Sequence, residues 1–292
     1  MKSIAIEKKI YPESGLLSRK SIFGKWVAVA LIAGAMSMVL PAAEAHADGP
    51  WSEERLSLRI GGFWPSVDTQ FRLDGTASPI GSDIDFESML GLEDRKLLPN
   101  AELTLRLGHW SRLEVEYFKL ARSGTANLTT NLNIGDQTFT AGVTVRSTLD
   151  FEMYRGAYGF SFINNDRTEM GVSVGVHFMR MEMSVQDVGG GLLSESGKLT
   201  LPLPNLGVYG SVALGDNFAL VGRSQLFYLK IGDHTGRLLH IAGAVEYYPI
   251  DHVGLGVGYT YFDLDAKSTS TDFTGEFRFT QHGPTAYVKF WF

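Results

Sequence analysis

Along most of this chain apolar and polar residues alternate one by one. A two-residue period fits only extended backbone, whose side chains point to opposite faces in turn. Leu56, Leu58 and Ile60 alternate with Ser57, Arg59 and Gly61. Ala101, Leu103, Leu105 and Leu107 alternate with Glu102, Thr104 and Arg106, and Leu113, Val115 and Tyr117 with Glu114 and Glu116. The same pattern runs over 172–178, 239–247 and 253–261. Past residue 47 no stretch sustains a helical 3.6-residue period. No apolar run there approaches the ~18 residues of a membrane-spanning helix, so a helical membrane bundle is excluded.

Tight-turn chemistry separates pairs of alternating runs at 108–112 (GHWSR), 164–167 (NNDR), 215–217 (GDN) and 249–252 (PIDH), which predicts four hairpins. The connections between hairpins are longer and polar, at 74–82, 124–138, 187–198, 233–236 and 265–273. Short turns at one end and long loops at the other characterise a transmembrane barrel. A soluble sandwich has no reason to sort its loops this way. Ten strands are predicted, at 54–73, 97–108, 112–123, 140–163, 168–186, 198–214, 218–232, 237–249, 253–264 and 274–292. Eight or twelve strands also fit the pattern. An even number places both ends of the barrel domain at the short-turn, periplasmic side. Segment 83–96 (DIDFESMLGLEDRK) fits poorly, and is expected either to extend the second strand or to fold into the barrel mouth.

The first 47 residues read as an address. Lys2, Lys8, Lys9, Arg19, Lys20 and Lys25 precede the uncharged run 26–40, WVAVALIAGAMSMVL. Pro41 breaks that run, and Ala45-His46-Ala47 supplies small residues at −3 and −1. This is the pattern of a cleaved secretory signal peptide, with Ala43-Glu44-Ala45 as a second register. The run is short for a membrane anchor. The expected domain boundaries are therefore 1–47 for the signal and 48–292 for the barrel. The barrel domain carries about −9, because six of the 26 basic but only three of the 32 acidic residues lie in 1–47.

Composition closes several other routes. The absence of cysteine excludes disulfide scaffolds, thiol nucleophiles and Cys-ligated metal sites, and it agrees with export through an oxidising compartment. The acidic balance gives no footing for nucleic acid. The 33 glycines and 12% aromatic residues disfavour helices and suit strands and turns.

The aromatic positions point to a membrane. In 218–232 the apolar face runs from Phe218 to Tyr228. Ten residues at ~3.3 Å rise, tilted by ~40°, cover about 25 Å, the height of a lipid-facing band. Tyr247, Tyr248, Phe160 and Phe162 beside the short turns are expected to form an interfacial girdle. The chain ends Thr285-Ala286-Tyr287-Val288-Lys289-Phe290-Trp291-Phe292, with Phe292, Phe290, Val288 and Ala286 on one face. This resembles the terminal strand of bacterial outer-membrane β-barrel proteins, and the chain looks like a small barrel domain of the broad OmpA- and OmpW-like kind. The resemblance covers the architecture of 48–292 and no functional motif. It implies an all-β, transmembrane, antiparallel up-and-down barrel with outer-membrane lipid around it. It also implies recognition of Phe292, Phe290 and Val288 by the barrel-assembly machinery.

If the apolar faces meet lipid, the opposite faces line the lumen. That set is Arg59, Glu102, Arg106, Glu114, Glu116, Arg155, His177, Arg223, Gln225, His240, Glu246 and Lys289. Both signs are present, so the residues either form a paired network filling a narrow barrel or line a pore. A barrel of about ten strands lies nearer the filled end of the size range.

Catalytic constellations are weak. His109 and Ser111 share a face, but they fall in the hairpin GHWSR, where a polar turn explains them better. His240 has Ala242 two residues on, not Ser. Omptin proteases are ten-stranded barrels with paired acids and an Asp/His couple at the outer rim. A resemblance to them would implicate Asp83, Asp85 and Asp233-His234, but the surrounding motif residues do not match. No HxxxH or HExxH spacing occurs. Asp263-x-Asp265 and Asp83-x-Asp85 lack the Gly and Glu of a calcium loop. Gly189-Gly190-Gly191 has no strand–helix context for phosphate. No catalytic residue, metal or cofactor is expected. Three function classes follow, of which the first is favoured. The first is a non-enzymatic outer-membrane barrel, structural or passing small solutes. The second is a barrel enzyme, and the third a secreted soluble β-sandwich that binds a ligand.

Overall fold

The computed structural model describes residues 54–74, 81–134, 137–189, 194–269 and 274–292. The expected signal segment 1–47 lies outside the described residues, as do 190 and 191 of the triple glycine. The strands are β1 (Leu56–Phe63), β2 (Ser66–Leu73), β3 (Ile84–Asp85), β4 (Leu98–Arg106), β5 (Ser111–Asn127), β6 (Leu132–Ile134) and β7 (Gln137–Phe139). They continue as β8 (Thr144–Asn164), β9 (Thr168–Asp187), β10 (Ser194–Ala213), β11 (Phe218–Ile231), β12 (His234–Ile250), β13 (Val253–Thr269) and β14 (Thr274–Trp291).

One antiparallel sheet closes on itself. Its order is β1-β4-β5-β8-β9-β10-β11-β12-β13-β14, and β14 returns to β1, a ring of ten. This is a barrel, not two packed sheets. The first predicted strand, 54–73, is interrupted at Trp64-Pro65, where proline has no N–H for the ladder. Register survives the break: Phe63 faces Thr285 and Ser66 faces His282, so β1 and β2 pair with successive halves of β14. Gly283 is required here, since a Cβ would collide with the Trp64 carbonyl.

Several predicted loops are strand. β5 runs to Asn127 and β9 to Asp187, while β13 runs to Thr269. The predicted loop 233–236 is a tight turn, with β11 ending at Ile231 and β12 starting at His234 around Gly232 at φ 55°. The reason is an inversion of polarity along the wall. Near the short turns the outward side chains are apolar and the inward ones charged. Towards the long loops the two faces exchange character.

The exchange falls at the same level on strand after strand. Inward, Glu116 gives way to Phe118, Arg155 to Met153, His177 to Met179, Asn205 to Leu203 and Gln281 to Phe279, with Phe118, Met153, Met179, Leu203 and Phe279 all buried. Outward, Tyr117 gives way to Lys119, Tyr154 to Glu152, Phe178 to Arg180 and Tyr228 to Lys230. A wall crossing from lipid into water must change both faces, because its outside meets a new solvent and its inside then needs an apolar core. The expectation that inward faces are polar throughout therefore holds only for the half nearer the short turns.

The outward apolar belt is edged by rings at both ends. Tyr117 and Tyr154 meet at 4.9 Å between centroids at one edge, and Phe218 and Tyr247 at 4.9 Å at the other. Phe160 and Phe162 are exposed in the belt, whereas Tyr248 turns inward and is buried. Tyr248 is thus not part of the girdle. From Tyr154 to Phe162 the wall climbs about 20 Å at ~3.3 Å per residue and ~40° tilt.

Segment 81–97 closes the mouth. If β4 continued straight beyond Leu98, parity would turn Lys96 and Asp94 into the apolar bore. The chain leaves 93–97 exposed and folds inward over 86–92, with Gly91 at φ 69°. Ile84, Phe86, Leu90 and Leu92 are buried in the bore. Each such side chain contributes roughly 1.5–3 kcal/mol by burial. The hairpin β6–β7 adds Leu132, Ile134 and Phe139, and Ser82 N–H donates to the Asn133 carbonyl at 3.1 Å to join the two.

Val257 lies mid-strand on the outward belt and is 67% exposed. Val257→Arg is expected to cost about 2–4 kcal/mol of folding free energy in bilayers or to block insertion. The heat-modifiable gel shift and urea titration in vesicles measure this, and wild-type folding would reverse the facing assigned to β13.

Candidate functional site

The charged half of the bore is the densest chemical feature of the described residues. Alternation on each strand sends one charged residue inward every second position, and ring closure brings residues from distant strands together. Arg155, 1% exposed, donates from Nε to Glu116 Oε2 at 2.9 Å and from Nη1 to Glu114 Oε2 at 2.8 Å. Arg223 pairs with Glu102, and with Glu116 at 2.7 Å. Arg59 reaches Glu102 at 2.6 Å and Glu246 at 3.1 Å. Arg106 grips Glu169 with two bonds, at 2.9 and 2.6 Å, and Arg112 bridges Glu169 to Glu114. Lys289 joins Glu246 to Glu54 across the barrel closure, at 3.8 and 2.7 Å.

These contacts form one connected network with five arginines and Lys289 against six glutamates. Its formal charge is zero. Buried charge inside a lipid-facing wall is tolerable only when each group is paired and hydrogen-bonded. Tyr248 and Tyr287 both donate to Glu246, Tyr287 at 2.7 Å. Ser161 donates to Glu169 at 2.6 Å, and the Arg112 guanidinium lies 3.4 Å from the Tyr209 ring centre. Gly171 leaves room for that ring, since a Cβ there would collide with it. Glu54 precedes the first strand. Burial pushes its carboxyl up, but Lys289 and Arg106 more than reverse this and hold it at about 2.

Every residue of the expected lumen set faces the bore. Arg59, Glu102, Arg106, Glu114, Glu116, Arg155, Arg223, Glu246 and Lys289 belong to the network. His177, Gln225 and His240 form a polar layer at its inner limit, where the Asn205 amide meets His177 Nδ1 at 2.8 Å. Sequence reading missed Glu54, Arg112, Glu169, Tyr209 and Tyr287. Parity was available for Arg112 and Glu169, which lie two residues from Glu114 and from Gly171 on inward faces. Glu54 lies before the observed β1, and in the predicted strand 54–73 its parity is that of the apolar face of Leu56, Leu58 and Ile60, so alternation did not mark it as inward.

A cavity of about 130 Å³ lies within the network. Its wall towards the long loops is Phe63, Phe118, Met153 and Phe262. That volume has room for several waters or a small polar group.

The weaker candidates are not brought together. His109 contacts the Asn164 carbonyl at 3.1 Å and Ser111 the Tyr158 hydroxyl at 2.8 Å, so neither serves the other. Asp83 faces Arg72 at 3.8 Å, and Asp85 caps a turn by accepting from Ser88 N–H at 2.7 Å. His234 begins β12, four strand positions around the sheet from β3, or about 19 Å at ~4.8 Å per strand. Asp263 is engaged by Arg237 at 2.8 Å. Among the described residues no three His, Asp or Glu side chains are placed to hold a metal ion.

No family profile matches the chain, and no curated protein does. Among solved structures, the outer membrane protease OmpT of Escherichia coli is similar at TM-score 0.58 and 12% identity, covering 85% of this chain and 99% of that one. The translocator domain of autotransporter NalP from Neisseria meningitidis gives 0.42 at 13% identity, over 94% and 100%. The neisserial surface protein A gives 0.32 at 12% identity, over 81% and 97%. The likeness to the first shows an outer-membrane β-barrel fold.

Arg155→Met removes one cationic partner from each of Glu114 and Glu116, leaving them to Arg112 and Arg223, and leaves the buried network one positive charge short. It is expected to cost about 3–5 kcal/mol in urea unfolding from vesicles. Lys119→Met, which removes an exposed pair on the outer face, is expected to leave the midpoint nearly unchanged.

Proposed function

We propose that this chain is a non-enzymatic outer-membrane β-barrel that serves the envelope as a closed structural element. One observation carries the reading: an apolar stack lies directly beyond the charged network. Phe151 and Phe279 stack at 4.7 Å, and Phe262 packs edge-on against Phe279 at 6.1 Å. Limited passage of small solutes needs a wet path along the whole bore, and the polar cavity ends at Phe63, Phe118, Met153 and Phe262, with Phe279 and Phe151 stacked behind Phe262.

The reading takes 1–47 as a cleaved export signal and puts the short turns in the periplasm. Outer-membrane lipid surrounds the belt. The last strand, with Phe292, Phe290 and Val288, is the element presented to the barrel-assembly machinery; Phe292 and Phe290 are 69% and 37% exposed on the outer face. A fold shared with a protease is not a shared chemistry. The separation of Asp83 and Asp85 from His234 favours the non-enzymatic reading over the barrel-hydrolase one.

Planar-bilayer recording on the refolded barrel tests this. The expected result is a baseline without unit steps across many insertions. Reproducible unit conductance would overturn the closed reading and restore passage.

A further inference from the structure

The polar layer at the inner limit of the charged network holds donor atoms that the chain itself leaves unused. His177 Nε2, His240 Nδ1, Asn205 Oδ1, Gln225 Oε1 and Gln281 Oε1 have no hydrogen-bond partner among the described residues, and all five side chains are buried. A buried polar group left without a partner costs about 1–3 kcal/mol. Five of them at one level of the bore mark a place where something other than the chain completes the bonding. The two imidazoles come from β9 and β12, which are not neighbours in the ring, and their centroids lie 5.9 Å apart. Phe262 meets both rings at steep angles, at 6.3 and 5.6 Å, and fixes their tilt.

Two imidazoles bound to one metal ion by bonds of about 2 Å have their ring centres roughly 5–6 Å apart. This pair is spaced to share a cation. The second nitrogen of His177 is already engaged, with the Asn205 amide 2.8 Å from Nδ1. With that amide turned so that Oδ1 accepts from Nδ1–H, Asn205 orients the ring and leaves the Nε2 lone pair for the ion. This is the usual outer support of a metal-binding histidine. A sulfur donor stands at the same end of the cavity. Met153 and His240 both line it, and Met153 pairs in register with Met179, two residues beyond His177. The cavity reaches back to Glu54 and Ser211 near the short turns, which gives an ion a polar path from that side.

We propose that His177 and His240, with the Met153 thioether, form a binding site for a soft univalent metal cation of the Cu(I) type. Thioether and imidazole donors without a carboxylate select that class. Charge argues the same way. No acid stands in the layer, and the six glutamates of the network are already matched by six bases. A dication would add two uncompensated charges inside a lipid-facing wall, where a univalent ion adds one. The absence of cysteine leaves no thiolate to compete for the ion. The inference goes beyond the closed-barrel reading. The ion enters and leaves by the short-turn side, and conductance tests that reading whatever the site binds.

Ag+ is a redox-stable probe of such a site. The folded barrel, carrying 13C at its methionine methyls, is titrated with silver nitrate in detergent micelles and read by NMR. One equivalent of Ag+ is expected to shift the Met153 methyl signal and to leave that of Met170, on the outward face, in place. His177→Gln and His240→Gln are each expected to abolish the shift at that ratio. Asn205→Ala is expected to raise the Ag+ concentration at half-shift about tenfold. A Met153 signal indifferent to Ag+, a shift that survives both histidine substitutions, or a stoichiometric response to Zn2+ with none to Ag+ would overturn the proposal. Should a histidine variant fail the gel-shift test of folding, 15N-histidine labelling of the unsubstituted barrel decides. The His177 and His240 signals must move together with Met153, and movement confined to His109, His234, His252 and His282 would show surface binding and overturn the site.

Discussion

Twelve charges sit inside a wall whose outside is apolar, and they can remain there only by cancelling one another. Six bases and six acids form one network across β1, β4, β5, β8, β9, β11, β12 and β14. The pairings join strands far apart in sequence, such as Arg223 with Glu102 and Lys289 with Glu54. Slipping one strand by one residue would turn its charges out to lipid and its apolar residues into the network. The network thus specifies register and closure together. The backbone ladder alone, which is indifferent to side chains, does neither.

Where the wall leaves the lipid, that constraint is replaced by its opposite. Beyond the polar layer of His177, Asn205, Gln225, His240 and Gln281 the bore fills with phenylalanine, leucine and methionine. The outside turns to lysine, arginine and glutamate. The barrel is therefore two packing solutions on one set of strands: charge-paired inside lipid, and conventionally cored inside water. The mouth-closing segment 81–97 follows from the second. A straight strand would carry Lys96 and Asp94 into the core, and folding inward over 86–92 exchanges them for Phe86, Leu90 and Leu92.

The alternation made the barrel, its ten positions and the charged lumen legible in the sequence. What escaped had physical causes. Polar outward residues such as Thr125, Asn127 and Lys267 made strand ends resemble loops, because the pattern was matched to lipid outside and not to water. Tyr247 and Tyr248 were read together as a girdle, although neighbours on a strand face opposite ways and Tyr248 turns in to Glu246. Segment 81–97 resisted reading because its fold depends on which side of β4 its charges would fall, a fact of register that no local pattern carries. Asp83, Asp85 and His234 could be grouped in sequence only because strand order around the ring was not yet fixed.

The inversion of polarity is the central claim, and a depth profile along β8 tests it most directly. Spin labels at 150, 152, 154, 156, 158 and 160, on the outward face, are read for collision with oxygen, which partitions into lipid, and with a water-soluble nickel complex. The account predicts oxygen-dominated relaxation from 154 to 160 and nickel-dominated relaxation at 150 and 152, with the step between Glu152 and Tyr154. Nickel access along the whole series, or lipid-like signals continuing through 150, would contradict it.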